Sequence, residues 1–519
     1  MDSASAAGSP VARASGSAPG EKGLKTGALG FVSNVVIGVA STAPGYSLAA
    51  SLGLVVAVSG IGLQAPAVLL AAFIPMLFIA SSYYYMNRAD PDCGTTFSWV
   101  TRAMGPRAGW IGGWAIIVAD ILVMANLAQI AGLYSFLLVG WQSAADSTLA
   151  VTVVGVVWIA IMTTICVIGI ELSARTQVGL LGAELVTLAL FAVVALVKVA
   201  TGSAGPNAVD PSFSWLNPFA VDGFSAFVDG ILLSVFIYWG WDSTVTVNEE
   251  SENSSETPGK AAVLATVILV VIYVLVAFAA QAFNGPKELV DNSDDVLSAL
   301  GTSVFGSPLD KLLIIAVLTS AAASTQTTIL PTARTSLSMA RAGAMPRRLG
   351  DIHPRFLSPH VSTILMGVLS IVWYVGLTLV SENILFDSIA ALGLMIAFYY
   401  GITGFACAVY YRHQLTRSAK NFLMIGVAPV IGGLMLTGVF VKSCIDLSDP
   451  KNSTSGSSWL GVGPPLVIGL GALLLGVVLM VLWERAGHSE FFERRAEVVD
   501  PALLTRGPEV VGTAPRIEE

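Results

Sequence analysis

Two apolar stretches long enough to cross a membrane are each interrupted near the middle by residues that break helices. The first runs from Asn34 to Gly53 and contains a Pro-Gly pair at Pro44. The second runs from Gly230 to Glu250 and contains Gly240 between two tryptophans. Backbone at membrane depth leaves the helix only where protein or a water-filled cavity satisfies its N–H and C=O groups. Paired interruptions of this kind indicate the binding site of a transporter.

The composition indicates a membrane protein. Of the 519 residues, 55% are hydrophobic and 12% are charged, and long apolar runs recur, which excludes a soluble globular protein. A helix needs about 20 apolar residues to cross the hydrocarbon core. On that rule the sequence predicts an all-α integral membrane protein with about twelve spans. The predicted spans lie at residues 30–53, 60–86, 109–140, 149–170, 177–200, 224–248, 260–283, 309–341, 361–380, 384–411, 421–442 and 464–484.

The distribution of positive charge predicts the orientation. Of the 26 lysines and arginines, 21 fall in segments on the same side as the N-terminus. Cytoplasmic loops carry the excess of positive charge, so we expect a multi-pass protein of the plasma membrane with both termini in the cytoplasm. Residues 1–27 are predicted to form a disordered cytoplasmic tail and residues 485–519 a second tail, on either side of a transmembrane domain at residues 28–484.

Residues that hold metals or cofactors do not form recognisable motifs in this chain. The four cysteines and four histidines show no metal-ligand spacing, and no basic patch points to nucleic acid. We therefore expect no metal and no cofactor, with a proton or sodium ion as the coupling ion. The expected partners are a small-molecule substrate and membrane lipid, with no nucleic acid, and the protein is expected to be a monomer or a loose oligomer.

Three loop and helix-end segments carry further patterns. The segment from Arg88 to Trp114 contains Pro-x-x-Gly-x-x-aromatic, then Gly-Pro, then a Gly-x-x-x-Gly-Trp helix start. The segment from Ala333 to Pro359 contains Met-Ala-Arg and a later His-x-Arg, and that from Phe236 to Ala261 contains the second break and an acidic loop ending in proline. In this order the three segments resemble the amino acid/polyamine/organocation permeases over the first eight helices.

The resemblance implies the LeuT-type fold, in which two inverted repeats of five helices interlock. The repeats would cover residues 30–200 and 224–411, with peripheral helices at 421–484. It also implies alternating access, with the substrate near the midplane between the broken first and sixth helices. N–H groups at a half-helix start suit a carboxylate, whereas unwound carbonyls suit an ammonium group.

The substrate-binding candidates follow from the two breaks. We expect unwound backbone at residues 40–45, because Pro44 removes a donor and Gly45 permits unusual backbone angles, and at residues 236–241, with Gly240 as the pivot. The alternative is a pair of kinked helices without a ligand, since Pro and Gly are common in membrane helices. The predicted substrate-binding residues are Ala40, Ser41, Thr42, Ala43, Pro44, Gly45, Asp120, Phe236, Ile237, Tyr238, Trp239 and Gly240.

One departure from the family pattern bears on the substrate. Relatives often have a glycine-rich triplet in the first helix whose amides bind a carboxylate, whereas this chain has Ser-Thr-Ala-Pro-Gly at residues 41–45. The hydroxyls substitute in part, but Pro44 has no N–H to donate. An α-amino acid substrate is therefore implied by the family and not by these residues, and polyamines or other organic amines stay as the alternative.

Two acids stand out because apolar residues of a predicted span surround them on both sides, where charged side chains cost several kcal/mol and mark functional sites. Glu184 falls where the resemblance implies a coupling residue beside the broken first helix, and burial disfavours the charged form of a carboxyl. The alternative is an acid that hydrogen bonds neighbouring helices without exchanging its proton. Asp120 either meets a cationic group of the substrate or links helices.

The eighth span offers Ser324 and Thr325 as further coupling residues. In sodium-coupled relatives, hydroxyls here and carbonyls of the first helix form a sodium site, whereas hydroxyls elsewhere in membranes simply join helices. A titratable Glu184 favours protons over sodium, so we expect proton coupling. Trp241 and Asp242 are predicted to have gating or structural roles, with Asp242 orienting the broken backbone.

Two other classes of protein fit the sequence poorly. An intramembrane enzyme needs a nucleophile with its base or a metal motif, and the sequence has no H-E-x-x-H and no G-x-S-x-G. A channel does not need two broken helices in two repeats. The sequence therefore predicts a permease, not an enzyme, that moves amino acids or related amines. A polyamine or organic cation exchanger and a sodium-coupled symporter are the alternatives.

Overall fold

The computed structural model describes residues 21–293, 296–380, 382–453 and 455–493. Their regular secondary structure is helical, joined by short 3₁₀ turns and one π-helical segment at Phe422–Val427. The α-helices are α1 Phe31–Ser41, α2 Pro44–Ala57, α3 Ala65–Ala89, α4 Thr96–Met104, α5 Pro106–Val139, α6 Gln142–Ala145, α7 Thr148–Ile168, α8 Ile170–Ala200, α9 Phe224–Ile237, α10 Ser243–Thr246, α11 Thr257–Asp291, α12 Val296–Phe305, α13 Lys311–Arg341, α14 His360–Val380, α15 Glu382–Tyr410, α16 Ala419–Asn421, α17 Ala428–Asp446 and α18 Pro464–Arg485.

Within these ranges, eleven helical stretches are long and apolar enough to cross a membrane. The remaining predicted span, the sixth in the chain at residues 224–248, forms the 14-residue helix α9, then an irregular segment, then the single turn α10. The largest errors in a span boundary are the end of α11, at Asp291 instead of residue 283, and the start of α8, at Ile170 instead of residue 177. At α8 the cause is visible. Its first turns carry Glu171 and Arg175, which extend the helix beyond the apolar run that the sequence reveals. The all-α membrane fold is therefore confirmed.

The helices at the edge of the bundle present apolar side chains outward. On α7, the exposed residues Leu149, Val153, Val157 and Ile161 recur every four residues and so form one stripe. This pattern is expected of a surface in contact with lipid tails, because lipid tails offer no hydrogen-bond partner to a polar or charged side chain. The polar side chains instead lie inside, around α1, α2, α5, α8 and α13, which pack against one another.

The chain before the first span is packed against the bundle. The sequence predicts a disordered tail up to residue 27, but that boundary is wrong for residues 21–27: Leu24 is buried, and Lys22 and Lys25 each form ion pairs. Phe491, in the second predicted tail, is also buried, stacked on Phe97. These residues are held by long-range contacts that composition does not reveal. The tail predictions for residues 1–20 and 494–519 lie outside the described residues.

Candidate functional site

The first break is shorter than the sequence predicts. Helix α1 continues through Ser41 and α2 begins at Pro44, so only Thr42 and Ala43 leave the helix, and the expectation of unwound backbone over residues 40–45 is wrong at its ends. Proline starts α2 instead of breaking it, because its fixed φ suits the first helical position, where an N–H has no helical partner. Ala43 has φ +46° and ψ +64°, a left-handed conformation that is uncommon for alanine. The departure from right-handed helical backbone between α1 and α2 is thus concentrated on Ala43.

The second break is longer. Helix α9 ends at Ile237 and α10 begins at Ser243, so Phe236 and Ile237 are helical and the irregular segment is residues 238–242. Gly240 has φ +116°, which an L side chain rarely adopts. A methyl group added to Gly240 would lie 2.6 Å from the Ser41 carbonyl oxygen, closer than atoms can approach. Glycine is therefore required where the two breaks meet.

The two breaks are joined by a direct hydrogen bond as well as by this close approach. The hydroxyls of Ser41, the last residue of α1, and Ser243, the first residue of α10, lie 2.7 Å apart. Asn34, lower on α1, accepts hydrogen bonds from Thr244 at 3.1 Å and from Ser251 at 2.9 Å. Helix α1 is thus attached along its length to the chain that follows the second break.

A small cavity lies where α1, α2, α5, α9 and α13 converge. It has room for about one water molecule, so it is nearly closed. Its lining residues are Ser41, Thr42, Ala43, Tyr46, Ser47, Val123, Leu127, Phe236, Trp239 and Ser324. Among the predicted substrate-binding residues, those that do not line this cavity are Ala40, Pro44, Gly45, Asp120, Ile237, Tyr238 and Gly240.

Sequence reasoning missed four of the lining residues, Tyr46, Ser47, Val123 and Leu127. Tyr46 and Ser47 follow the break and lie in the first turn of α2, so a longer reading of the break would have included them. Val123 and Leu127 are four residues apart on α5 and share one face of it. Apolar residues on a membrane helix do not differ in sequence from those that face lipid, so no signal marks these two.

The first turn of α2 is capped by side chains from two other helices. The Gly45 N–H donates to Glu184 Oε1 of α8 at 2.7 Å, and the Tyr46 N–H donates to Ser320 Oγ of α13 at 3.2 Å. The Ser320 hydroxyl also hydrogen bonds Glu184. Glu184 is fully buried, and its second carboxylate oxygen, Oε2, has no hydrogen-bond partner among the described residues. The start of a helix stabilises a carboxylate. Glu184 therefore has a favourable position, and it lies beside the first break, as the sequence predicts.

Asp242 organises the second break from within. Its carboxylate accepts hydrogen bonds from the Tyr400 hydroxyl at 2.8 Å and from the Tyr399 hydroxyl at 3.2 Å, both on α15. Tyr399 in turn accepts the indole N–H of Trp239. Trp241 is fully buried and stacks on Tyr400 with ring centroids 5.3 Å apart. The break is therefore held by α15, and neither Asp242 nor Trp241 lines the cavity.

Asp120 and Tyr238 make contacts that join helices. The Thr332 hydroxyl of α13 donates to Asp120 Oδ2 at 2.5 Å, and Asp120 is buried between α5 and α13. The Tyr238 hydroxyl donates to the Leu69 carbonyl of α3 at 2.9 Å. The structure thus gives Asp120 the helix-linking arrangement that the sequence left as one of two alternatives.

Ser324 and Thr325 have different surroundings despite being adjacent. The Ser324 hydroxyl donates to the Ser41 carbonyl of α1 at 2.9 Å, across the helix interface. The Thr325 hydroxyl donates to the Ala321 carbonyl of its own helix at 2.8 Å. Only Ser324 therefore reaches the first break, and the pair does not converge on one point.

A buried ion pair closes the side of the bundle at which α1 begins, which we call the N-terminal face. Arg334 of α13 donates through Nε to Glu250 Oε2 at 2.6 Å and through a terminal nitrogen to Oε1 at 2.9 Å. Their side chains are 2% and 1% exposed. This paired geometry holds both charges with two charge-assisted hydrogen bonds. The acidic loop after the second break thereby contacts α13 at the N-terminal face.

Lys22 makes a second closure at the same face. Its Nζ lies 2.8 Å from Asp92, 2.7 Å from Glu249 and 3.7 Å from Cys93 Sγ. Although burial opposes it, the negative neighbours raise the pKa of Lys22. Burial likewise opposes ionisation of Asp92, but Lys22 and the hydrogen bonds from the Gly94 N–H and a serine hydroxyl hold the pKa of Asp92 well below its usual range. Asp92, Cys93 and Glu249 are spaced as metal ligands, but here the ammonium group of Lys22 supplies the positive charge among them.

Comparison with known proteins agrees with this architecture. The sequence pattern of the family described as amino acid permease matches residues 27–483. The chain is 28% identical to an uncharacterized transporter of Mycobacterium tuberculosis over 65% of this chain and 71% of that protein. It is 23% identical to a serine/threonine exchanger of Bacillus subtilis, over 74% and 81% of the two chains. It is 19% identical to a low-affinity putrescine importer of Escherichia coli, over 76% and 82%.

Proposed function

This chain belongs to the amino acid permease family and is a transporter of amino acids or amines, not an enzyme, and from that premise we propose a proton-coupled secondary active transporter. It moves its substrate across the plasma membrane by alternating access, with both termini in the cytoplasm. The excess of lysine and arginine on the side of the N-terminus supports that orientation. The cavity between the two breaks is the substrate site.

One observation carries the proposal: a buried acid lies directly on the first break. Glu184 accepts the Gly45 N–H at the start of α2, immediately after the two residues that leave the helix. A proton that arrives at Glu184 removes the charge from this hydrogen bond and weakens it, because hydrogen bonds to charged groups are about twice as strong as neutral ones. Protonation is thereby linked to the position of α2, which lines the cavity through Tyr46 and Ser47.

The two ion-pair closures support the direction of opening. Arg334–Glu250 and Lys22–Asp92 both lie at the N-terminal face and join α13, the chain before α1, and the loops that follow α3 and α10. With both pairs formed, this face is closed. Separating them opens a path from the cavity to the cytoplasm, which is one half of an alternating cycle.

A sodium-coupled symporter is the weaker candidate. Ser324 contacts the Ser41 carbonyl, as a sodium site between α1 and α13 requires, but Thr325 bonds within its own helix. An exchanger of amines is the stronger alternative, because the relatives include a serine/threonine exchanger and a putrescine importer. Coupling and substrate are therefore tested together.

The experiment is uptake into proteoliposomes with and without an inward proton gradient. The panel contains labelled amino acids and amines, and the proteins are wild type, Glu184→Gln and the control Glu171→Gln. Glu171 lies on the same helix, is half-exposed and pairs with Lys25, so it carries the same substitution away from the break. We expect gradient-driven uptake that is lost in Glu184→Gln and kept in the control. Gradient-independent exchange that survives Glu184→Gln would contradict proton coupling through this residue.

A further inference from the structure

The donors at the start of α2 are all engaged within the protein. Pro44 has no N–H, the Gly45 N–H bonds Glu184, and the Tyr46 N–H bonds Ser320. The Ser47 N–H donates to the Ala43 carbonyl at 2.8 Å. A carboxylate of the protein therefore already lies where a half-helix start would otherwise receive a carboxylate of the substrate. A second carboxylate placed there would meet the first at close range in a medium of low dielectric constant.

The hydroxyls that line the cavity are also used as donors. Thr42 donates to the Val39 carbonyl at 2.7 Å and Ser47 to the Thr42 carbonyl at 2.7 Å. Ser324 donates to the Ser41 carbonyl, and the Ser41 hydroxyl shares its hydrogen bond with Ser243. The indole N–H of the lining Trp239 is bonded to Tyr399.

The lining is consequently rich in acceptors and poor in donors. Each of the four hydroxyl oxygens keeps a lone pair, and an ionised carboxylate is a pure acceptor that those lone pairs repel. Among the lining hydroxyls, those of Tyr46 and Ser41 have a proton that is not assigned to another acceptor, since either serine can donate in the Ser41–Ser243 hydrogen bond, and both of these donors are neutral. An ammonium group has three donors and no acceptor, so it matches this surface.

The ends of the half-helices favour the same charge. Helices α1 and α9 both finish at the cavity, and a helix C-terminus has partial negative charge. The positive start of α2 is neutralised by Glu184. None of the residues that line the cavity is a lysine or arginine. While Glu184 is ionised, these helix ends therefore favour a cation over an anion at the cavity.

We infer that the substrate is an organic amine without an α-carboxylate, bound by its ammonium group at the lining hydroxyls and by its hydrocarbon part against Val123, Leu127, Phe236 and Trp239. This inference rests on the proposed function and narrows its substrate class. Phe236 and Trp239 add ring faces that attract a cation. Because the closed cavity holds about one water molecule, binding an organic amine requires the lining to move, and Phe236 is only half-buried.

The test compares amines with the amino acids that differ from them by one carboxylate. The pairs are ethanolamine and serine, isoamylamine and leucine, phenethylamine and phenylalanine, and putrescine and ornithine. Uptake by proteoliposomes of the full chain is measured at equal concentrations of each pair. We expect the amine to be taken up at least tenfold faster than its partner in at least one pair, and no pair to favour the amino acid.

Two variants at one position test the cause. Glu184→Ala removes the carboxylate and frees the Gly45 N–H, whereas Glu184→Gln keeps an acceptor on it. Competition for the binding of a labelled amine to the detergent-purified protein gives the affinity ratio for a pair without requiring coupled transport. We expect both variants to shift that ratio toward the amino acid because both remove the charge: Glu184→Ala at least tenfold, and Glu184→Gln by less, since its amide oxygen still occupies the Gly45 N–H. An Ala variant that fails to fold leaves the wild-type pairs to decide.

The outcomes separate the two proposals. Equal uptake of both members, or preference for the amino acid, overturns the inference and leaves the transporter intact. An unchanged ratio in a folded Glu184→Ala protein also overturns it, because the carboxylate would then not be what excludes the substrate's own. Uptake of neither member of any pair, from correctly folded protein, overturns the proposed function and the inference together.

Discussion

Removing one partner of the Arg334–Glu250 pair should destabilise the closed N-terminal face more than any exposed ion pair of this chain could. Both side chains are almost fully buried and two hydrogen bonds, of 2.6 and 2.9 Å, join them. Arg334→Met leaves an uncompensated carboxylate in the interior. Breaking a buried pair in this way costs about 3–5 kcal/mol, whereas exposed pairs contribute about 0–1 kcal/mol.

The double variant Arg334→Met with Glu250→Leu separates the charge from the packing. Replacing a buried pair by apolar side chains of similar volume is neutral or stabilising in many proteins. We therefore expect the double variant to regain most of the free energy of unfolding that Arg334→Met loses. Denaturant titrations in detergent measure the free energy of unfolding of Arg334→Met, Glu250→Leu and the double variant, and the double-mutant cycle gives the coupling free energy.

Cys93 reports the opening of the same face. Its thiol is fully buried, lies 3.6 Å from the Arg334 carbonyl oxygen and contacts Lys22. If Arg334→Met weakens the closure by about 3 kcal/mol, the rate of maleimide labelling should rise roughly 100-fold, since 1.4 kcal/mol is tenfold. The background is Cys444→Ser, which removes the half-buried thiol.

Two results would refute this reasoning. The first is a cost below about 1 kcal/mol for Arg334→Met, which would mean that water reaches Glu250 and screens it. The second is a double variant as unstable as the sum of its single changes, which would mean that the pair is not coupled. If Arg334→Met greatly lowers the free energy of unfolding but leaves the rate of Cys93 labelling unchanged, the pair stabilises the whole fold and does not control the opening of the N-terminal face.

Three further outcomes are expected. Lys22→Met should lower the free energy of unfolding by about 1–2 kcal/mol. Because the pKa of Asp92 is depressed, this difference from wild type should be complete above the ordinary carboxyl pKa and should vanish as the pH falls through the pKa that Asp92 has in the folded state. Because the pKa of Lys22 is raised, the difference should persist to alkaline pH. Gly240→Ala should cost about 2 kcal/mol or more and abolish uptake, because its methyl group would collide with the Ser41 carbonyl. Val123→Phe should fill the cavity and reduce uptake at least tenfold in a protein that still folds.

Matched controls exist for the last two. Gly393→Ala places a methyl group where nothing lies within 4 Å, so stability should change by less than about 1 kcal/mol. Val157→Phe lies on the exposed face of α7 and should leave uptake unchanged. For Lys22→Met, a difference from wild type that does not begin to shrink as the pH falls below the ordinary carboxyl pKa would show that the lost contact is not ionic.

Much of the fold is readable from the sequence because the membrane imposes one length on every span. Runs of about 20 apolar residues predict most helix ends to within a few residues, except the start of α8 and the end of α11. The interrupted middles predict where the backbone departs from the helix. The detail that fails is which residue departs: Pro44 starts a helix where a break was expected, and Phe236 completes a turn before the second break.

The site is less readable because its contacts join distant parts of the chain. Glu184 is recognisable as an acid in an apolar span, and its position against Gly45 agrees with that expectation. Val123 looks like any lipid-facing residue until α5 is placed against the breaks. Lys22 and Asp92 are separated by 70 positions, and composition assigned the first to a tail. Pattern shows which groups are unusual, but only packing shows what they meet.

The left-handed Ala43 joint has a mechanical consequence. A residue before proline is disfavoured in the helical region, so Pro44 opposes a helical conformation of Ala43 that would join α1 and α2 into one continuous helix. Each half-helix also has a contact of its own, α1 with the chain after the second break through Ser41 and Ser243 and α2 with α8 through Glu184, while both contact α13. The first span is therefore jointed at Ala43, so a tilt of one half-helix need not carry the other with it.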